Sequence, residues 1–259
     1  MKKILTIAGS DCSGGAGIQA DIKTITAHKM YAMSAITALT AQNTTGVFGI
    51  LDVGIELIAQ QIDCIFNDIR PDAIKIGMVS SNEIIKTIAQ KLQEYDAKNV
   101  VIDPVMVSAS GSKLLADSAI EILKTTLLPL GNIITPNIFE AEILSNTSIK
   151  NKDDMIKAAK IIAEKTNPVV LLKGGHSVCD GTDLLFDNGN INWIESKKIE
   201  TENTHGTGCT LSSAIACNMA QGLELSDCVL MAKKYLSGAL NDGLNLGKGR
   251  GPLNHVYNL

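Results

Sequence analysis

The residues best suited to chemistry in this chain gather around glycines. Thr204-His205-Gly206-Thr207-Gly208-Cys209-Thr210 runs directly into Leu211-Ser212-Ser213-Ala214-Ile215-Ala216, a small-residue stretch that reads as a helix. Glycines let backbone N–H groups crowd toward one point, and a helix starting there adds partial positive charge. Together they make a site for an anion such as a phosphoryl group in transfer. The plainer alternative is a helix start packed closely on a sheet. Leu171-Leu172-Lys173-Gly174-Gly175 sets a lysine at the end of an apolar run. A core has no use for it, and a phosphate partner explains it. Ile102-Asp103-Pro104 and Thr135-Pro136-Asn137-Ile138-Phe139-Glu140 bring oxygen ligands to two more run ends. Asn137 and Glu140 stand a helical turn apart and can organise Mg2+ and its waters around phosphates. They fit equally a capping box, with Asn137 capping the next helix.

A second glycine-rich segment, residues 9–17, follows the first apolar run. Gly15-x-Gly17-x-x-Ala20 formally satisfies the dinucleotide fingerprint. That fingerprint also wants an acidic residue about 20 positions on to hold a ribose. No Asp or Glu occurs between Asp21 and Asp52, so the dinucleotide reading is set aside. No Gly-x-x-x-x-Gly-Lys-[Ser/Thr] occurs either, so ATP would be handled without a Walker A loop. His176-x-x-Cys179 is half of a zinc site without a second pair at ligand spacing, and reads as surface loop. Ser108-Ala109-Ser110-Gly111-Ser112, small and polar after a site strand, reads as a mobile flap or an ordinary loop.

These segments need a frame to bring them together. Nearly continuous β-branched runs predict buried strands over 3–8, 35–41, 73–79, 100–103, 132–135 and 169–173. Amphipathic stretches predict helices over 17–28, 55–69, 83–95, 118–127 and 153–165 between them. Residues 184–190 read as a hairpin around Asn188-Gly189, followed by helices over 209–221 and 227–241. Alternating strands and helices imply an α/β fold with a mostly parallel sheet. The 259 residues carry no Pro/Ser-rich linker and no repeat, so a single domain over 1–259 is expected. A net charge of −4 and 3% aromatics give no footing for nucleic acid or an anionic membrane. The apolar start breaks at Gly9, and no run is long enough to span a bilayer. The six cysteines are scattered without a Cys-x-x-Cys pair, which suits the cytoplasm.

Taken in order, these motifs resemble the hydroxymethylpyrimidine/phosphomethylpyrimidine kinases of the ribokinase-like family. The resemblance covers essentially the whole chain. It rests on residues 8–11 with 14–21, 37–43, 75–78, 101–106, 135–142, 172–176, 205–210 and 251–255. Arg250 stands where the family tail motif has His, and Asp187-Asn188-Gly189 replaces a simpler Asp-Gly turn. The resemblance implies a three-layer α/β/α fold and two successive ATP-dependent phosphorylations in thiamine synthesis. It implies a pyrimidine pocket at Gly9, Gln42, Met78 and Val105, with Asp21 as an acidic residue nearby. It sets Asp103, Asn137 and Glu140 around Mg2+, with Lys173 and Thr204 toward ATP. Gly206, Thr207, Gly208 and Cys209 become the anion hole. Cys209 falls where most ribokinase-like relatives carry the catalytic aspartate, and a helix N-terminus can lower a thiol pKa enough for it to take a proton. A small residue that simply fits is the alternative there. A cytoplasmic homodimer is also implied. The competing functions are a pyridoxine/pyridoxal kinase of the same family, against which Gln42 speaks, and a nucleotide-binding protein without turnover.

Overall fold

Successive side chains of a strand point to opposite faces of its sheet, and each face here has its own apolar partner layer. A computed structural model describes residues 1–107, 114–175, 181–195 and 199–259. The flap segment 108–112 and the His176/Cys179 pair lie outside the described residues. In β1 (Lys3–Asp11), Leu5 and Ile7 enter one hydrophobic cluster and Ile4 the other. In β4 (Ala73–Ile76) and β5 (Val100–Ile102) the alternation repeats, with Ile74, Ile76, Val100 and Ile102 against Ala73 and Val101. Helices cover both faces. On one side lie α2 (Ile55–Asp68), α3 (Asn82–Glu94), α4 (Asp117–Ile122), α5 (Ile138–Ser145) and α6 (Lys152–Thr166). On the other lie α1 (Gly17–Ala27), α7 (Thr207–Ala220) and α8 (Leu225–Asn241). The expected three layers are present.

The sheet adds β2 (Tyr31–Asn43), β3 (Gly46–Asp52), β6 (Ile133–Ile134), β7 (Val169–Leu172), β8 (Asp183–Asp187) and β9 (Asn190–Ile194). Its order is β3-β2-β1-β4-β5-β6-β7-β8-β9, parallel from β2 to β7 and antiparallel at both edges. The β8–β9 hairpin turns on Asn188 (φ 48°) and Gly189 (φ 89°), the paired left-handed conformation of a tight hairpin turn. β3 is absent from the sequence expectations, and β2 runs to Asn43 rather than stopping at residue 41. α7 begins at Thr207, two residues earlier than expected. From β1 the chain passes to β2 on one side and later returns to β4 on the other. Such a reversal opens a crevice beyond the carboxyl ends of the central strands.

Candidate active site

The crevice is lined by the loops and helix starts that leave the carboxyl ends of the strands. Gly206 has φ 89° and precedes the first turn of α7. A Cβ there would lie 1.9 Å from Gly15 O, so only glycine lets the two glycine-rich segments meet. The first-turn N–H groups of α7 have no helical acceptor, and that turn carries no acidic residue. A Cβ on Gly208 would lie 3.0 Å from Asp103 Oδ2 and 3.6 Å from Lys173 Nζ. The helix start, the strand-end aspartate and the strand-end lysine therefore converge. Lys173 Nζ donates to Asp103 Oδ1 at 3.0 Å, and Thr135 Oγ1 donates to the same oxygen at 3.0 Å. Burial opposes the Lys173 charge, but Asp103 and Glu140 outweigh it and hold its pKa above the ordinary value.

Asn137 and Glu140 form the capping box. Glu140 N donates to Asn137 Oδ1, and Asn137 N to Glu140 Oε2, each at 2.9 Å. Burial pushes the Glu140 carboxyl up to about 7, with Lys173 pulling against it and Asp103 adding to it. Among the described residues no group of three or more His, Cys, Asp or Glu side chains is placed to enclose a metal. A Mg2+ held by one or two carboxylates, waters and phosphates needs no such group. Asp103 Oδ2, turned toward Gly208, fits that kind of ligation.

Cys209 departs from the expectation of a lowered pKa. Burial pushes its thiol up to about 11, and Lys75 only partly offsets this against Asp21 and Asp103. Asp21 departs from its expected place beside the substrate. It is fully buried and accepts from Lys75 Nζ at 2.8 Å, Thr6 Oγ1 at 2.6 Å and Ser213 Oγ at 2.8 Å. It ties layers together behind the cleft wall. Thr204 contributes its carbonyl, which accepts from Thr207 N.

On the other side of the crevice, Gly9 and Met78 touch: a Cβ on Gly9 would lie 3.1 Å from Met78 Sδ. Val105 sits in a tight turn, its N–H donating to Asp103 O at 2.8 Å. Gln42, half-buried at the end of β2, lies 3.5 Å from His205 Nε2, which meets Asp11 Oδ2 at 2.8 Å. Asp11, His205 and Lys75 were given no role from the sequence. Asp11 and His205 are 194 positions apart, and no local pattern pairs them.

The geometry is that of a phosphoryl-transfer cleft on a ribokinase-like α/β frame. The phosphomethylpyrimidine kinase profile matches residues 11–254. The hydroxymethylpyrimidine/phosphomethylpyrimidine kinase of Bacillus subtilis is 44% identical, over 98% of this chain and 94% of its own. The thiamine biosynthesis bifunctional protein ThiED of Geobacter sulfurreducens is 47% identical over 98% of this chain, which spans only 52% of that longer protein. Among solved structures, phosphomethylpyrimidine kinase from Clostridium difficile superposes with a TM-score of 0.82 at 47% identity, covering 92% of this chain and 98% of its own. Pyridoxal kinase from Staphylococcus aureus, in complex with AMP-PCP and pyridoxal, superposes at 0.91 with 33% identity, covering 100% and 94%. This chain belongs to the phosphomethylpyrimidine kinase family.

Proposed function

We propose that the chain phosphorylates the hydroxymethyl group of 4-amino-5-hydroxymethyl-2-methylpyrimidine with ATP, then phosphorylates the monophosphate to the pyrophosphate, in thiamine synthesis. The convergence of the α7 start, Asp103 and Lys173 on one point carries this reading. Phosphoryl transfer needs alignment and charge neutralisation more than covalent chemistry. Lys173 and Thr204 face the ATP phosphates. The N–H groups of Gly208 and Cys209, with Gly206 and Thr207 shaping the turn, hold the equatorial oxygens in transfer. Gly9, Gln42, Met78 and Val105 receive the pyrimidine. Asp103, with Asn137 and Glu140 behind it, would hold Mg2+, which would supply positive charge at the phosphates. The raised thiol pKa favours Cys209 acting through its backbone N–H. The hydroxyl proton stays on the attacking oxygen until the new P–O bond is well formed, and then leaves to the product phosphate or water.

A single kinase domain over 1–259, a homodimer and a cytoplasmic location belong to the same reading. The described cysteines are free thiols, as suits a reducing compartment. Among the described residues no helix is long and apolar enough to cross a membrane. The second reading, a pyridoxal kinase, draws on the likeness to solved pyridoxal kinases. Gln42 favours the pyrimidine, because its amide matches a ring nitrogen beside an amino group. A coupled ATP-consumption assay with hydroxymethylpyrimidine and pyridoxal side by side tests the proposal. Faster turnover of the pyrimidine is expected; faster turnover of pyridoxal would reverse the assignment.

A further inference from the structure

We infer that Asp183 is a positioning residue for Lys173: its carboxylate, paired with Lys233, pins the peptide that follows the lysine and so fixes where the lysine side chain starts. The consequence for ATP rests on the reading above that Lys173 faces the phosphates. Lys173 stands one residue past the end of β7, where regular pairing with β8 has stopped at Leu172 and Leu184. Its own N–H donates to Pro136 O at 2.8 Å. The N–H of the next residue, Gly174, donates to Asp183 Oδ1 at 3.0 Å. Both peptides flanking the Lys173 Cα are therefore held, one by the chain beyond β6 and the other by Asp183. From that Cα the side chain reaches Asp103 Oδ1 at 3.0 Å and comes up beside Gly208. A turn of either peptide would swing the ammonium away from both.

Asp183 is buried, and a carboxylate there needs a charged partner. Lys233 of α8 supplies it, donating to Asp183 Oδ2 at 2.6 Å and to Gly181 O at 3.1 Å. The two carboxylate oxygens thus serve two different donors, the Gly174 N–H and the Lys233 ammonium. A carboxylate accepts at both ends, whereas an amide of the same shape accepts at only one. An asparagine could keep one of these bonds only by turning its NH2 group on the other donor. The arrangement spans layers: α8 lies on one face of the sheet, Asp183 opens β8 within it, and the lysine it steadies stands at the cleft. Gly175 O accepts from Gly181 N at 3.0 Å, so the outgoing and returning chains are tied once more just beyond. The Asp183 charge also helps to keep Lys173 protonated, an effect of field distinct from one of position.

The test measures kcat/KM for ATP, at saturating hydroxymethylpyrimidine, in wild type, Asp183→Asn, Asp183→Asn/Lys233→Met, Lys173→Ala and Lys173→Ala/Asp183→Asn. Asp183→Asn is expected to lower it about 10–100-fold, the cost of a small misplacement near a reacting centre, with the KM for the pyrimidine unchanged. Adding Lys233→Met removes the facing ammonium and lets the amide oxygen accept from Gly174 N. Most of the loss is then recovered without restoring any charge. On Lys173→Ala, Asp183→Asn adds nothing. A wild-type value in Asp183→Asn, no recovery on adding Lys233→Met, or a further loss on Lys173→Ala each overturns the inference. Crystals of Asp183→Asn give a readout besides turnover. Lys173 Nζ is expected to have left Asp103 Oδ1, and a contact kept at 3.0 Å overturns the inference. In wild type itself the Gly174 amide proton is expected to exchange slowly with water by NMR, although it lies beyond the regular ladder. Fast exchange overturns the hold whatever the variants do. If the lysine moves in the crystals but Lys173→Ala uses ATP as wild type does, the placing of Lys173 at the phosphates falls and its positioning by Asp183 stands.

Discussion

At Gly208 the absence of a side chain matters because a Cβ there would press on Asp103 Oδ2 at 3.0 Å, with Lys173 Nζ in ordinary contact at 3.6 Å. Gly208→Ala is expected to push Asp103 off its place and lower kcat/KM by about 10–100-fold, a cost of small misplacement at a reacting centre. Cys209→Ala keeps its N–H and loses only a thiol that is neutral at ordinary pH. Its kcat is expected within about tenfold of wild type, since a positioned base is worth on the order of 10²–10⁴ and a packing sulfur far less. Rate against pH separates the two roles. A thiolate base would make the wild-type kcat climb toward alkaline pH and leave the alanine variant flat, whereas parallel profiles are expected. Glu140 gives a third prediction. Its carboxyl pKa is raised from 4.5 to about 7. Between those values the folded chain holds a proton that the unfolded chain has released. Stability from Glu140 is thus complete below 4.5 and declines as pH rises toward 7. Glu140→Gln cannot titrate and is expected to lose this part of the slope. Urea denaturation at both ends of the window measures it, and an equal slope in both proteins would show that Glu140 is not its source.

Between elements, Lys75 on β4 pairs with Asp21 on α1 at 2.8 Å, both side chains fully buried. Thr6 of β1 and Ser213 of α7 complete the Asp21 shell. Burial opposes the Lys75 charge and Asp21 outweighs it, holding the pKa above its ordinary value. Lys75→Met strands a buried carboxylate and is expected to cost about 3–5 kcal/mol in chemical denaturation. Lys75→Met/Asp21→Asn should recover part of that; a double variant no better than the single would mean packing, not charge, is what was lost. This pair also marks where sequence reading runs out. The central strands are legible because both of their faces are buried, so Val100–Ile102 reads as a continuous apolar run and Ala73–Ile76 as one broken only by Lys75. β3 escapes because an exposed edge strand with Gly46 and Gly49 shows neither a continuous run nor a clean alternation. Lys173, Asp103 and the α7 start were legible because glycine and strand ends mark them locally. Asp21 was misplaced because its facing depends on how α1 is turned on the sheet. The Asp11–His205 contact depends on the whole chain having closed.

Across the whole molecule, the exposure of β3 on both faces stands out. Phe48 is 71%, Leu51 66% and Ile50 45% exposed, on a strand with one unpaired edge. Such an edge invites a partner strand, and a second copy related by a two-fold axis offers the same surface back. Leu51→Glu is therefore expected to yield a monomer where wild type sediments as a dimer in analytical ultracentrifugation. A monomeric wild type would remove the dimer from the proposal.

The turn between β2 and β3 is held at a second place. Thr44 Oγ1 accepts from the backbone N–H groups of Lys248 and Gly249, each at 3.2 Å. A few residues on, Gly251 O accepts from His205 N at 3.0 Å. One continuous strap thus joins the ribbon that would meet a second copy to His205, 3.5 Å from the Gln42 side chain. Were copies to meet at this ribbon, association and occupancy of the cleft would be linked equilibria: whatever stiffened one end would favour order at the other, by the same factor in each direction. Dilution below the dissociation point would weaken the pyrimidine's hold, and saturating pyrimidine would shift dissociation to lower protein concentration. The β2–β3 ribbon would in that case serve as a cooperative switch between subunit assembly and ligand affinity.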